Sequence, residues 1–93
     1  MKEIELEKAP KKYYISYDKH SIIVRRYSNQ PRVDFLIDPK NLSPKEKVFL
    51  RRMRNFALNE LALADFRAQQ GSQRDKEEIE RIKEFLRFLK SIL

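Results

Sequence analysis

Three arginines, Arg51, Arg52 and Arg54, lie within four positions of a segment that is otherwise typical of a buried helix, VFLRRMRNFALNELALADF. At 100° per residue of an α-helix, Lys47, Arg51 and Arg54 share one narrow face with Asn55, whereas Arg52 points elsewhere. Guanidinium groups bind phosphate oxygens through paired hydrogen bonds. The cluster therefore predicts a phosphate-contacting surface made of Lys47, Arg51, Arg52 and Arg54.

The arginine cluster is also compatible with two roles that do not involve phosphate. Charged residues make up 38% of the chain, so these arginines can be ordinary surface residues whose stems cover apolar neighbours. They can also face an acidic partner protein. The cluster occupies the first half of its helix, where the helix dipole gains nothing from positive charge. The cause of the cluster is therefore expected outside the helix, and the spacing leaves the nature of the partner open.

A second set of basic residues lies among tyrosines in the first half of the chain. Arg25, Arg26 and Arg32 are further candidates for nucleic-acid binding. Sheets that bind single strands place aromatic rings for base stacking beside cations that contact the backbone. Tyr14 and Tyr27 are the candidate stacking residues, because the tyrosines that flank Tyr14 belong to the opposite face of their strand. The simpler alternative is that tyrosine is favoured in strands.

Residues that could support catalysis are few. His20 is the single histidine and falls in a predicted turn, and the one glycine cannot form a phosphate-binding loop. Four glutamates follow one another closely, but lysines and arginines lie among them and no histidine accompanies them: Glu77, Glu78, Glu80 and Glu84. We therefore expect a protein that is not an enzyme, with no metal, no cofactor and no small-molecule substrate.

The elements that position these residues are predicted from hydrophobic periodicity. Alternating runs rich in β-branched and aromatic residues predict three strands, at residues 13–17, 22–27 and 33–37, joined by turn-forming residues. Residues 1–10 are expected to form a flexible arm or an edge strand. Short connections favour antiparallel neighbours. The prediction is an α+β fold, a three-stranded antiparallel β-meander (residues 11–38) followed by a two-helix antiparallel hairpin (residues 43–93), as one domain over residues 11–93.

The helix boundaries are marked by capping residues. Ser43, Pro44 and Glu46 have the spacing of a capping box with proline at the first helical position, so a helix should run from Pro44 to about residue 70. Gly71 should end that helix in a left-handed conformation. Ser72 repeats the capping pattern and predicts a second helix that reaches the C-terminus.

The second helix has an unusually wide apolar arc. Its central positions recur at steps of three and four: Ile79, Ile82, Leu86, Leu89 and Leu93. Phe85, Phe88 and Ile92 widen the arc to about half of the circumference. Either the sheet covers this extra width, or Phe85, Phe88 and Ile92 stay exposed as a partner interface. We predict the second arrangement, a homodimer or a hetero-complex formed through the C-terminal helix.

Composition narrows the class of partner. The formal net charge is +7, and most of the excess lies between residues 11 and 70. Such a charge attracts polyanions. The chain has no cysteine and no apolar run long enough to span a membrane, so we expect a cytoplasmic protein without membrane contact, and the composition resembles that of heat-adapted proteins.

These observations favour a small basic protein that binds nucleic acid, with DNA favoured over RNA, or that serves as an accessory subunit of a replication or transcription assembly. The alternative is an adaptor that docks a partner protein through its apolar C-terminal helix.

Overall fold

The computed structural model describes residues 1–8, 10–27, 33–71 and 73–93. Four strands and two helices follow one another along the chain: β1 (Lys2–Lys8), β2 (Lys11–Tyr17), β3 (Ile22–Tyr27), β4 (Val33–Ile37), α1 (Pro44–Gln69) and α2 (Gln73–Ile92). The strands form one antiparallel sheet in the order β1-β2-β3-β4. The predicted α+β class is confirmed. The predicted count of three strands is wrong, because the N-terminal residues contribute a fourth.

Strand β1 accounts for the difference in strand count. Ile4 pairs with Ile15 and Leu6 with Tyr13 across β2, and both residues of β1 are buried. The glutamates that alternate with Ile4 and Leu6 are exposed, as side chains on the opposite face of an edge strand should be. This charged outer face made the segment resemble a loose arm, although its two apolar residues complete the core.

Both helices cover one face of the sheet. Tyr13 of β2 lies edge-on to Phe49 of α1, with 5.9 Å between ring centroids, and Tyr17 lies 5.3 Å from Phe85 of α2. The buried residues of the strands and helices form a single core between the two layers. The other face of the sheet is open to solvent, so the molecule presents a helical side and a sheet side.

Helix α1 begins and ends where its capping residues predict. The Ser43 side-chain oxygen accepts a hydrogen bond from the Glu46 backbone N–H (3.2 Å), and the Glu46 carboxylate accepts one from the Ser43 N–H (2.8 Å). After α1, Gly71 has a φ of 94°, a conformation that residues with a Cβ rarely adopt. The predicted cap at Ser72 lies outside the described residues.

Candidate nucleic-acid interface

The buried stripe of α1 fixes which of its residues face solvent. Leu50, Met53 and Ala57 are fully buried against the rest of the core. Since side chains follow one another by about 100° around a helix, Arg51, Arg52 and Arg54 point away from this buried stripe. Four cations of this part of α1 are all exposed, and we call them the basic segment: Lys47, Arg51, Arg52 and Arg54.

The basic segment is not neutralised by the chain itself. Four cations elsewhere in the described chain have carboxylate partners: Lys2 with Glu84, Lys12 with Glu5, Arg67 with Asp75, and Arg81 with Glu78. Among the described residues, none of the four cations of the basic segment has such a partner. The sequence gives the reason, because no acidic residue occurs between Glu46 and Glu60, and Glu46 is engaged in the capping box.

The basic candidates of the strands do not join this surface. Arg25 is exposed on the open face of the sheet. Arg26 is the cross-strand partner of buried Tyr13, so it lies on the helix-covered face and is half-buried. Adjacent strand residues point to opposite faces, so Arg25 and Arg26 do not share one surface. Arg32, the third member of that group, lies outside the described residues.

The two candidate stacking tyrosines lie together on the open face of the sheet. The rings of Tyr14 and Tyr27 meet edge to face with 5.3 Å between centroids, and both side chains are more than one-third exposed. The Lys12 ammonium lies 5.7 Å from the Tyr14 ring centroid and 2.9 Å from the Glu5 carboxylate. Hydrogen bonding to Glu5 raises the pKa of Lys12 above its usual value. Aromatic rings and cations are thus combined there, as stacking sites require.

The charge of the open sheet face nevertheless opposes a polyanion. Among the described strand residues, the register places four carboxylates on this face, Glu3, Glu5, Glu7 and Asp34, and two cations, Lys12 and Arg25. One of these cations is already paired with Glu5. Phosphates approaching the sheet would therefore meet more negative than positive charge, whereas phosphates approaching the basic segment would meet only cations.

The three residues of the expected partner interface on α2 differ in their exposure. Phe85 is 0% exposed and packs against Tyr17, so it belongs to the core. Phe88 lies 4.7 Å from the same tyrosine ring, and both Phe88 and Ile92 are partly buried against the core. Tyr17 of the sheet therefore covers Phe85 and part of Phe88, and a partner bound through α2 stays a prediction.

Exposed apolar residues occur on α1 instead, where the sequence did not lead us to expect them. Val48, Leu58, Leu63 and Phe66 are between 47% and 62% exposed. Leu58 and Phe66 are eight residues apart, with Ala62 between them, and this row does not coincide with the buried stripe. In the sequence, this second apolar row, separate from the core-facing stripe, was the signal that could have predicted exposed apolar residues on α1.

The remaining candidates for chemistry are dispersed. His20 is exposed in the turn after β2, and Glu78 and Glu84 have cation partners. Within the described ranges, no group of three or more His, Asp or Glu side chains has a geometry that could hold a metal ion. No described helix is both long enough and apolar enough to cross a membrane.

No protein-family model, curated protein or solved structure matches the chain.

Proposed function

We propose that this protein binds nucleic acid, with DNA as the favoured partner, through the basic segment of α1. The observation that supports this proposal is the set of four exposed cations, Lys47, Arg51, Arg52 and Arg54, that lack carboxylate partners among the described residues. Highly charged surfaces usually intersperse the two signs. An exposed cluster of one sign is suited to an external polyanion.

The charge distribution also orients the nucleic acid. The basic segment lies on the helical side of the molecule, and the described strand residues on the open sheet face include more carboxylates than cations. A polyanion is therefore attracted to the helices and repelled from the sheet. The arginines can each contact phosphate oxygens through two parallel hydrogen bonds, which gives them an advantage over lysine at such a surface.

A salt titration tests the proposal. Affinity for a duplex DNA oligonucleotide should fall log-linearly as salt rises from about 50 to about 200 mM, with a slope that reports the number of phosphates neutralised. Arg51→Glu combined with Arg54→Glu should abolish most of this binding and reduce the slope. Both side chains are exposed, so the free energy of unfolding should change by no more than about 1 kcal/mol in total.

A matched control removes the same amount of charge elsewhere. Lys19 and Lys76 are exposed on the β2–β3 turn and on α2, and neither has a carboxylate partner among the described residues. The double variant Lys19→Glu, Lys76→Glu should retain most of the DNA affinity. Equal losses in the two double variants would mean that net charge alone is responsible, and unchanged binding of the arginine variant would exclude α1 as the contact surface.

A protein adaptor remains the second candidate, now on a different surface. Phe85 of α2 is buried, but Leu58, Leu63 and Phe66 of α1 are exposed and could contact an apolar surface of a partner protein. Apolar docking holds or strengthens at high salt, whereas phosphate binding weakens. Raising the salt concentration should therefore weaken a complex of this chain with DNA, whereas a complex with a partner protein should hold. The salt titration separates the two functions in this way.

A further inference from the structure

Two asparagines in the middle of α1 do not stabilise the helix that carries them. Asn55 and Asn59 are exposed, and neither side chain has a hydrogen-bond partner among the described residues. Asparagine is a poor residue for a helix interior, since its amide competes with the backbone for hydrogen bonds. Alanine at either position would give a more stable helix, so the asparagines are expected to serve a contact outside the chain.

From this arrangement, and on the basis of the function proposed above, we propose that α1 enters the major groove of duplex DNA, where Asn55 and Asn59 contact base edges. The two amides lie one turn apart, separated by about 6 Å along the helix axis and by about 40° around it. Two base-pair steps of B-form DNA rise by about 6.8 Å. The amides are thus spaced to reach bases two steps apart.

The cations are placed where the walls of the groove would be. Around the helix axis, Lys47, Arg51 and Arg54 lie to one side of the line through Asn55 and Asn59. The exposed cations Lys45 and Arg52 lie to the other side. A helix in the major groove has a phosphate backbone on each flank, and the groove is about 12 Å wide, which admits a helix with its side chains.

The chemistry of the asparagine amide indicates the bases that it would recognise. The amide can donate a hydrogen bond to N7 of adenine while its oxygen accepts one from the N6 amino group, which distinguishes A·T from the other base pairs in the major groove. The narrow minor groove does not admit a helix, and the deep major groove of A-form RNA cannot be read by side chains. The partner inferred is therefore B-form duplex DNA that carries A·T pairs two steps apart.

Selection from a duplex DNA library with a randomised central segment provides the test. The 93-residue chain should enrich duplexes with A·T pairs two steps apart, and it should bind an enriched duplex more tightly than a scrambled one. Asn55→Ala and Asn59→Ala should each reduce this preference about tenfold, the discrimination typical of one bidentate contact, while affinity for the scrambled duplex stays unchanged. Gln69→Ala removes another exposed amide from α1 and should leave the preference intact.

The outcomes distinguish this inference from the proposed function. Salt-dependent binding of duplex DNA without any enriched sequence would overturn base reading and leave phosphate binding standing. An enriched sequence whose preference is the same in both asparagine variants would also overturn it. Failure to bind any duplex at low salt would overturn the proposed function itself. Both variants introduce a better helix former, so loss of folding is not an expected complication.

Discussion

Replacing Phe85 with alanine should remove a large share of the stability of this protein. The side chain is 0% exposed, and its ring lies 5.3 Å from that of Tyr17. Truncating a buried phenylalanine loses its burial and leaves a cavity, which together lower the free energy of unfolding by about 3–5 kcal/mol. A chain of 93 residues is stable by roughly 5–14 kcal/mol, so the variant is expected to be folded but fragile.

Urea unfolding followed by far-ultraviolet circular dichroism measures this loss. With a denaturant slope of about 1.5 kcal/mol per molar urea, the midpoint should fall by about 2–3 M. Phe66→Ala on α1 is the matched control, because that ring is 62% exposed. Its midpoint should move by no more than about 0.3 M, in keeping with the small effect of surface substitutions.

The comparison between the two phenylalanines can refute the reasoning. Small and similar shifts for Phe85→Ala and Phe66→Ala would mean that Phe85 is not part of the core. The extra width of the α2 arc would then be exposed, and the interface first predicted from the sequence would be restored.

Two further predictions concern the turn between the helices and the core tyrosine. Gly71→Val should lower the melting temperature through backbone strain of at least about 1–2 kcal/mol, because φ is 94° there and no atom lies within 4 Å of an added Cβ. Gly71→Asn should lower the melting temperature less, since asparagine tolerates positive φ. Equal melting temperatures for the valine variant and the wild type would contradict the left-handed conformation of Gly71. Burial raises the pKa of Tyr17 to about 12 from 10 in the unfolded chain, so the unfolded state loses this proton first and stability should fall as pH rises from about 10 to about 12. Urea midpoints measured across that window should fall less steeply in Tyr17→Phe, and parallel curves for the two proteins would exclude Tyr17 as the source.

Features that depend on a few neighbouring residues were predicted correctly from the sequence. Ser43 and Glu46 satisfy each other's backbone groups within one turn of helix, and Gly71 ends α1 without help from distant contacts. The faces of β2 follow from alternation alone, so Tyr14 was placed outside and Tyr13 inside. The exposure of Lys47, Arg51 and Arg54 likewise follows from the period of a helix whose buried stripe is evident in the sequence.

Features that depend on which surfaces meet were decided by the tertiary structure alone. The wide arc of α2 is compatible with a partner or with the sheet, and only the packing of Phe85 and Phe88 on Tyr17 selects the sheet. Residues 1–10 were compatible with a flexible arm or an edge strand, and only the burial of Ile4 and Leu6 selects the edge strand. Only the positions of the described carboxylates establish that the cations of the basic segment have no carboxylate partner among them. Local hydrogen bonds and hydrophobic periodicity depend on residues that are close in the sequence. The burial of an apolar helix face depends on apolar surface that distant segments supply, and periodicity carries no information about that surface.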